Sequence, residues 1–257
     1  MTKKKISIRS VSYINSIPFV YGLQQFEAFH NQIDLQLQMP SLCAKALIEN
    51  KADIGLIPVA VMPELDYAEI ISDLCIGAVG KVNTVSVYSD CPLERLEKVY
   101  LDYQSRTSVM LMQILSEKYW KIKPTFVAAY PGFEEDLKGT TGGVIIGDRA
   151  FALEGKYKYK IDLSEAWMDF TGLPFVFAAW IANKKLEESV IENFNKAIRF
   201  GYDHRAEAVR SWQKENTSTV NVNDYINKDI SYELDDAKRK GLQLFLSYVK
   251  EQLAKQN

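Results

Sequence analysis

The sequence predicts an α/β fold in two lobes, and three observations point to it. Apolar strand-like runs alternate with helical periods, with polar loops between them. That alternation favours mostly parallel sheets. The same rhythm starts again near residue 99, and two apolar segments, 82–88 (followed by Asp90-Cys91-Pro92) and 172–182, are placed to carry the chain between lobes. Two connecting strands are what a hinge requires.

Residues 6–11 read as a strand, 12–16 as a loop, and 19–29 as a helix with Pro18 in its first turn. Leu35, Leu37 and Met39 alternate as a half-buried strand. Pro40 breaks it, Ser41 is a natural N-cap, and 42–49 makes a helix. A third strand, 52–57, ends at Pro58. In the middle, 99–102 is a strand and 105–120 a helix with Leu111, Met112, Leu115 and Tyr119 on one face. Strands follow at 125–128 and 143–146, and at 173–182, whose LPFVFAAWIA is too apolar for an edge. From Glu187 onward the period is helical, with Leu242, Phe245, Leu246 and Val249 as the inner stripe of the last helix. In this reading residues 1–88 plus 178–257 form one lobe, 92–174 the inserted other, and the hinge strands lie near 86–92 and 174–180.

A 257-residue chain with 47% hydrophobic and 25% charged residues can build a core of ordinary size. Its formal net charge of -2 points to no nucleic-acid partner, so an anionic ligand would be held by local groups. The three cysteines, Cys43, Cys75 and Cys91, have no CxxC spacing and suit free thiols in a reducing compartment. The opening MTKKKISIRS lacks the apolar stretch of a signal peptide, and no run approaches the ~18 apolar residues of a membrane span. A cytoplasmic protein without a membrane partner is expected. Only two histidines are present, His30 and His204, neither beside a cysteine or carboxylate cluster. A metal site or a Ser–His–Asp triad is therefore not expected. No glycine-rich nucleotide signature occurs.

Four polar loops follow strand ends, where open α/β sheets bind ligands. In Ser12-Tyr13-Ile14-Asn15-Ser16, Asn15 either makes an Asx-turn or cap, or offers a neutral donor and acceptor to a ligand. Ser41 caps its helix, with the free N–H groups there able to face an anion. Ser86, in the run from Gly80, either lies on a solvent-facing strand or puts a hydroxyl into a cleft. The fourth loop, residues 101–108 (LDYQSRTS), crowds more hydroxyls onto a helix start than one cap needs. Thr107 and Ser108 with the helix dipole suit a carboxylate. Arg106 forms either a bidentate pair with a carboxylate or a structural ion pair with Asp102 or Asp148. Gly147 lets a ligand approach the backbone. Asp148 caps the next helix, accepts from a substrate hydroxyl, or pairs with Arg106. Trp167 and the 175–177 aromatics read as core.

In order, SYINSIP at 12–18, PS at 40–41, DIGLIP at 53–58, ISDLCIGAVGKVNTVSVYS at 71–89, LDYQSRTS at 101–108, IGDRA at 146–150 and TGLPFVFAAW at 171–180 resemble the chorismate dehydratases of futalosine-dependent menaquinone synthesis. The likeness runs over roughly the first 180 residues. It implies the type II periplasmic-binding-protein-like fold: two lobes, each a mixed, mostly parallel sheet flanked by helices, joined by a hinge. It implies loss of water from chorismate, a dicarboxylate, to give 3-[(1-carboxyvinyl)oxy]benzoate. Aromatisation drives that reaction, so no cofactor is expected.

By the same resemblance Asn15 lies closest to the chemistry. Ser86, Thr107 and Ser108 hold carboxylates, and Ser41, Arg106, Gly147 and Asp148 complete the substrate site. Two rivals remain: the later enzyme of the pathway, which forms 1,4-dihydroxy-6-naphthoate, and a non-enzymatic solute-binding protein. The former carries a CPND-type pattern where this chain has SYINS. A homodimer is compatible with this reading, though no sequence feature sets the oligomeric state.

Overall fold

The computed structural model describes residues 5–255. In chain order its elements begin with β1 (Ile6–Val11), α1 (Ile17–Gln25), α2 (Glu27–His30), β2 (Ile33–Gln38), α3 (Pro40–Ile48), β3 (Ile54–Pro58), β4 (Glu69–Ala78) and β5 (Val85–Ser89). Next come β6 (Lys98–Leu101), α4 (Thr107–Leu115), β7 (Thr125–Ala128), β8 (Thr141–Ile146), β9 (Tyr159–Asp162), α5 (Leu163–Thr171) and β10 (Phe175–Ala182). The chain ends with α6 (Glu188–Asp203), α7 (Arg205–Gln213), α8 (Val222–Asp224), β11 (Ser231–Glu233) and α9 (Asp236–Ala254).

The chain divides into two compact units, one of residues 1–76 with 178–234, the other of 77–177 with 235–257. This differs from the sequence reading in two places. Residues 77–88 and the last helix belong to the second unit, not the first. The reason for the former is that β5 lies inside the second sheet, paired with both β8 and β9.

The first unit is built on a sheet of order β11-β4-β10-β3-β1-β2. β1 runs parallel to β2 and β3, while β10 is antiparallel to β3. Every residue of β10 is buried, as its apolar run predicts for an interior strand. Phe19 and Phe194 pack edge-on against Trp180, and Tyr232 closes on Phe19. α1 and α6 cross with their backbones in contact: a Cβ on Gly22 would meet the Ala197 carbonyl oxygen at 2.1 Å.

The second unit has a sheet of order β7-β6-β8-β5-β9. β6 is parallel to β7 and β8, but β5 is antiparallel to β8 and β9, so this sheet is mixed in equal parts. Tyr88, Tyr100, Phe133, Leu137 and Ile145 fill one core cluster. Trp167, Phe175 and Phe245 fill another, as mutually edge-on rings.

Several local expectations need correction. The helix expected over 19–29 breaks at Phe26, whose backbone is extended (φ -76°, ψ 99°). α3 begins two residues earlier than expected, with Pro40 in its first turn and Met39 as N-cap, so Ser41 is a helical residue and not the cap. Proline has no N–H to leave orphaned there. The helix expected over 105–120 is α-helical only to Leu115, then a π-turn over Ser116–Trp120, and Tyr119 stays 38% exposed. β4, β9 and β11 have no counterpart in the sequence reading.

Candidate functional site

In the first unit two loops meet at the carboxyl ends of β1 and β2. The parallel register brings Val11 beside Gln38, and the Ser12 amide donates to the Gln38 carbonyl at 3.1 Å. Ser16 Oγ fixes the 12–16 turn by donating to the carbonyls of Val11 (2.6 Å) and Tyr13 (2.8 Å). The Tyr232 hydroxyl donates to the Asn15 carbonyl at 2.9 Å, which anchors the Asn15 backbone. The Asn15 side chain does not close an Asx-turn: its Oδ1 is buried and has no hydrogen-bond partner among the described residues. Ser10 Oγ, on β1, is in the same condition. A groove of about 500 Å³ opens beside the loop, lined in part by Ser12, Tyr13, Ser16, Tyr21 and Trp212. Ser41 lies half-buried in the first turn of α3, where the Met39 carbonyl accepts from the Leu42 and Cys43 amides.

In the second unit three segments converge. β5 runs antiparallel to β8, so its start lies beside the end of β8: Val85 pairs with Ile146 and Ser86 with Ile145. The Gly147 amide then donates to the Thr84 carbonyl at 2.9 Å, with Gly147 at a φ of 70° that favours glycine. Ser86 is fully buried, and its Oγ makes no hydrogen bond of full geometry among the described residues, its one side-chain interaction being with the Tyr88 hydroxyl two residues on. A buried hydroxyl without a full hydrogen bond costs free energy, and a ligand oxygen would remove that cost.

Parallel to β8 lies β6, whose end leads into α4. Ser105 Oγ accepts from the Ser108 amide at 3.0 Å, so one hydroxyl does the capping. Thr107 and Ser108 are buried in the first turn, and Arg106 is exposed. Asp148 lies inside a 3-10 turn over Gly147–Leu153 and is not its cap, because that position falls to Ile146, two residues earlier.

The structure thus brings Ser86, Gly147 and Asp148 to one end of the second sheet, where β6 also hands over to α4 with Thr107 and Ser108. Asn15 and Ser41 belong to the first unit. Of the alternatives for Arg106, the one that pairs it with Asp102 is corrected: Asp102 Oδ2 takes Arg149 Nη2 at 2.5 Å. Arg149 also reaches Glu134 Oε1 at 3.0 Å and lies over the Tyr103 ring.

Two buried carboxylates escape the sequence reading as site residues. Asp102 is one. The other, Asp162, accepts from the amides of Val82 (3.0 Å) and Asn83 (2.7 Å) with Oδ2, and from Ser164 (2.9 Å) and Glu165 (3.1 Å) with Oδ1. Burial pushes both carboxyls above the usual aspartate value, and the amide donors draw them partly back. No three His, Cys, Asp or Glu side chains group as a metal site among the described residues. Nor is any described helix long and apolar enough to cross a membrane.

Two sheets flanked by helices give the chain a periplasmic-binding-protein-like fold. A Candida albicans protein described as exhibiting the generic periplasmic binding protein structural fold matches with a TM-score of 0.68 at 12% identity, covering 96% of this chain and 90% of that one. More narrowly, the chain belongs to the menaquinone biosynthesis family, whose model matches residues 6–251. It is similar to a chorismate dehydratase of Thermus thermophilus, 22% identical over 89% of this chain and 94% of the relative. It is also similar to a chorismate dehydratase of Campylobacter jejuni, 27% identical over 72% of each.

Proposed function

We propose that this chain dehydrates chorismate to 3-[(1-carboxyvinyl)oxy]benzoate, as a carbon–oxygen lyase of the futalosine route in the cytoplasm. The observation that carries the reading is Asn15 Oδ1, a buried side-chain oxygen without a protein partner among the described residues, together with the fully buried Ser86 hydroxyl. Both lie on segments that carry the resemblance to chorismate dehydratases. The substrate offers two carboxylates, an enol ether and a ring hydroxyl, a set of groups that neutral hydrogen bonds can fix.

In this reading Ser86, Thr107 and Ser108 hold carboxylate, aided by the α4 dipole. Ser41, Arg106, Gly147 and Asp148 complete the substrate contacts. Asn15 orients the reacting groups. The ring C–H and the C–O bond to the hydroxyl both break; the ring proton passes to a substrate carboxylate and from it to the departing hydroxyl, which leaves as water, and the ring becomes aromatic. No group outside protein and substrate takes part. The protein's contribution is conformer selection, exclusion of water and stabilisation of developing charge.

The test is to incubate purified protein with chorismate, follow loss of the cyclohexadiene absorbance, and identify the product by mass spectrometry. Loss of absorbance with a product lighter by one water supports the proposal. Binding without turnover would make the chain a solute-binding protein instead. Absence of binding would point to the later, naphthoate-forming step or to another ligand.

A further inference from the structure

We infer that Asp102 and Arg149 form a positioning clamp that sets the backbone of both loops proposed to hold the substrate in the second unit. The inference rests on the dehydratase reading and extends it to residues that touch no substrate.

Asp102 follows directly on β6, and its side chain is buried completely. Its Oδ1 accepts from the Gln104 amide at 2.9 Å, inside the turn that leads to α4. Its Oδ2 accepts from the amide of Ile146, the last residue of β8, at 3.0 Å. The same oxygen takes Arg149 Nη2 at 2.5 Å. One carboxylate therefore ties down the starts of two loops: 103–108, with Thr107 and Ser108, and 147–149, with Gly147 and Asp148. β6 and β8 are neighbours in the sheet, so one short side chain reaches both strand ends.

Arg149 adds two things. It neutralises Asp102, so that the buried carboxylate does not repel an incoming substrate carboxylate. It also pins the far end of the 147–149 loop through Glu134, with Tyr103 under the guanidinium. An amide in place of the carboxylate cannot do this. In Asp102→Asn the new side chain would turn its NH₂ group toward either the Gln104 amide or the Ile146 amide and Arg149, so one side of the clamp opens.

The experiment compares wild type, Asp102→Asn and Arg149→Lys in steady-state kinetics with chorismate, and in amide hydrogen exchange without ligand. A clamp that acts through the binding loops raises KM about tenfold or more in Asp102→Asn while kcat stays within about threefold. Arg149→Lys, which keeps the charge but not the fork, falls between it and wild type. Exchange quickens at residues 104–108 and 146–149 and nowhere else. Unchanged KM with unchanged exchange overturns the inference, as does quickening spread over the whole second unit. If Asp102→Asn does not fold, Arg149→Lys alone decides by the same criteria. If wild type neither binds nor converts chorismate, the dehydratase reading falls, and the exchange pattern, which needs no ligand, still decides whether the clamp exists.

Discussion

Gly22 on α1 and Gly201 on α6 face each other so closely that a Cβ added to Gly201 would sit 2.7 Å from the Gly22 amide nitrogen and 1.9 Å from the Pro18 carbonyl oxygen. Backbone cannot yield as a flexible side chain can. Gly201→Ala is therefore expected to destabilise the protein by at least the ~1–3 kcal/mol typical of overpacking, despite alanine's better helix propensity. A thermal melt checks this, and an unchanged or raised Tm would contradict the crossing.

Asn15→Ala is expected to lower kcat for chorismate about a hundredfold or more with little change in substrate Kd, since the side chain is assigned to the reacting groups and not to carboxylate binding. Asp148→Asn is expected to weaken binding more than turnover. Full turnover by Asn15→Ala together with loss of activity in Asp148→Asn would reverse these roles.

The clearest pH effect is expected at the start of α9. Asp235 Oδ1 caps the helix by accepting from the Lys238 amide at 2.8 Å, and its Oδ2 pairs with the buried Lys238 Nζ at 3.1 Å. The amide bond, then the lysine, lower its carboxyl below the usual value. A depressed aspartate stabilises the fold above its unfolded value and loses that contribution as pH falls through the folded one. Because the carboxylate is half exposed, solvent screens the ion-pair part, and the cap contributes most, about 1 kcal/mol. Asp235→Ala should lower Tm at neutral pH by about 2–4 °C, with the gap closing below about pH 4.

Asp162 carries the opposite sign. Burial raises its carboxyl, so its ionised form is held at a cost that falls away as pH drops through the folded value. Its four amide donors nonetheless need acceptors. Asp162→Asn leaves an NH₂ group facing two N–H donors and should cost about 1–3 kcal/mol. Denaturant unfolding measures it, and a neutral result would mean that the amides find other acceptors.

Cys43, Cys75 and Cys91 are all buried, and burial pushes the Cys43 thiol up to about 12. None should react with a thiol reagent at neutral pH until the protein unfolds, when all three should. A thiol titration with and without denaturant reads this directly.

Most strands are legible in the sequence because their chemistry is local. The LPFVFAAWIA run can only be an interior strand, and β1 needs no more than six residues of apolar pattern. β4 is not legible because Ser72 and Asp73 interrupt its period, β9 because Lys160 and Asp162 leave its four residues (YKID) without an apolar run, and β11 because three residues show no period. The stripe of α9 announces a buried face, but an amphipathic helix does not say which core it covers, and so the last helix falls to the wrong unit when read from sequence. The same limit applies at the site. Surplus hydroxyls at 105–108 stand out in sequence. The Asp102–Arg149 pair spans 47 residues, and nothing local to either predicts the other.

The place of β10 in the first sheet bears on how the chain must be made. β10 lies between β4 and β3, yet it follows them by about a hundred residues. A chain emerging from the ribosome in order presents β1 to β4 long before that central strand arrives, with the β3 and β4 edges unpaired in the interval. The second unit waits in turn for α9, at the very end. Neither unit can be completed by the first two-thirds of the chain, so nascent chains stopped near residue 170 should bind chaperones and aggregate, where full-length chains do not.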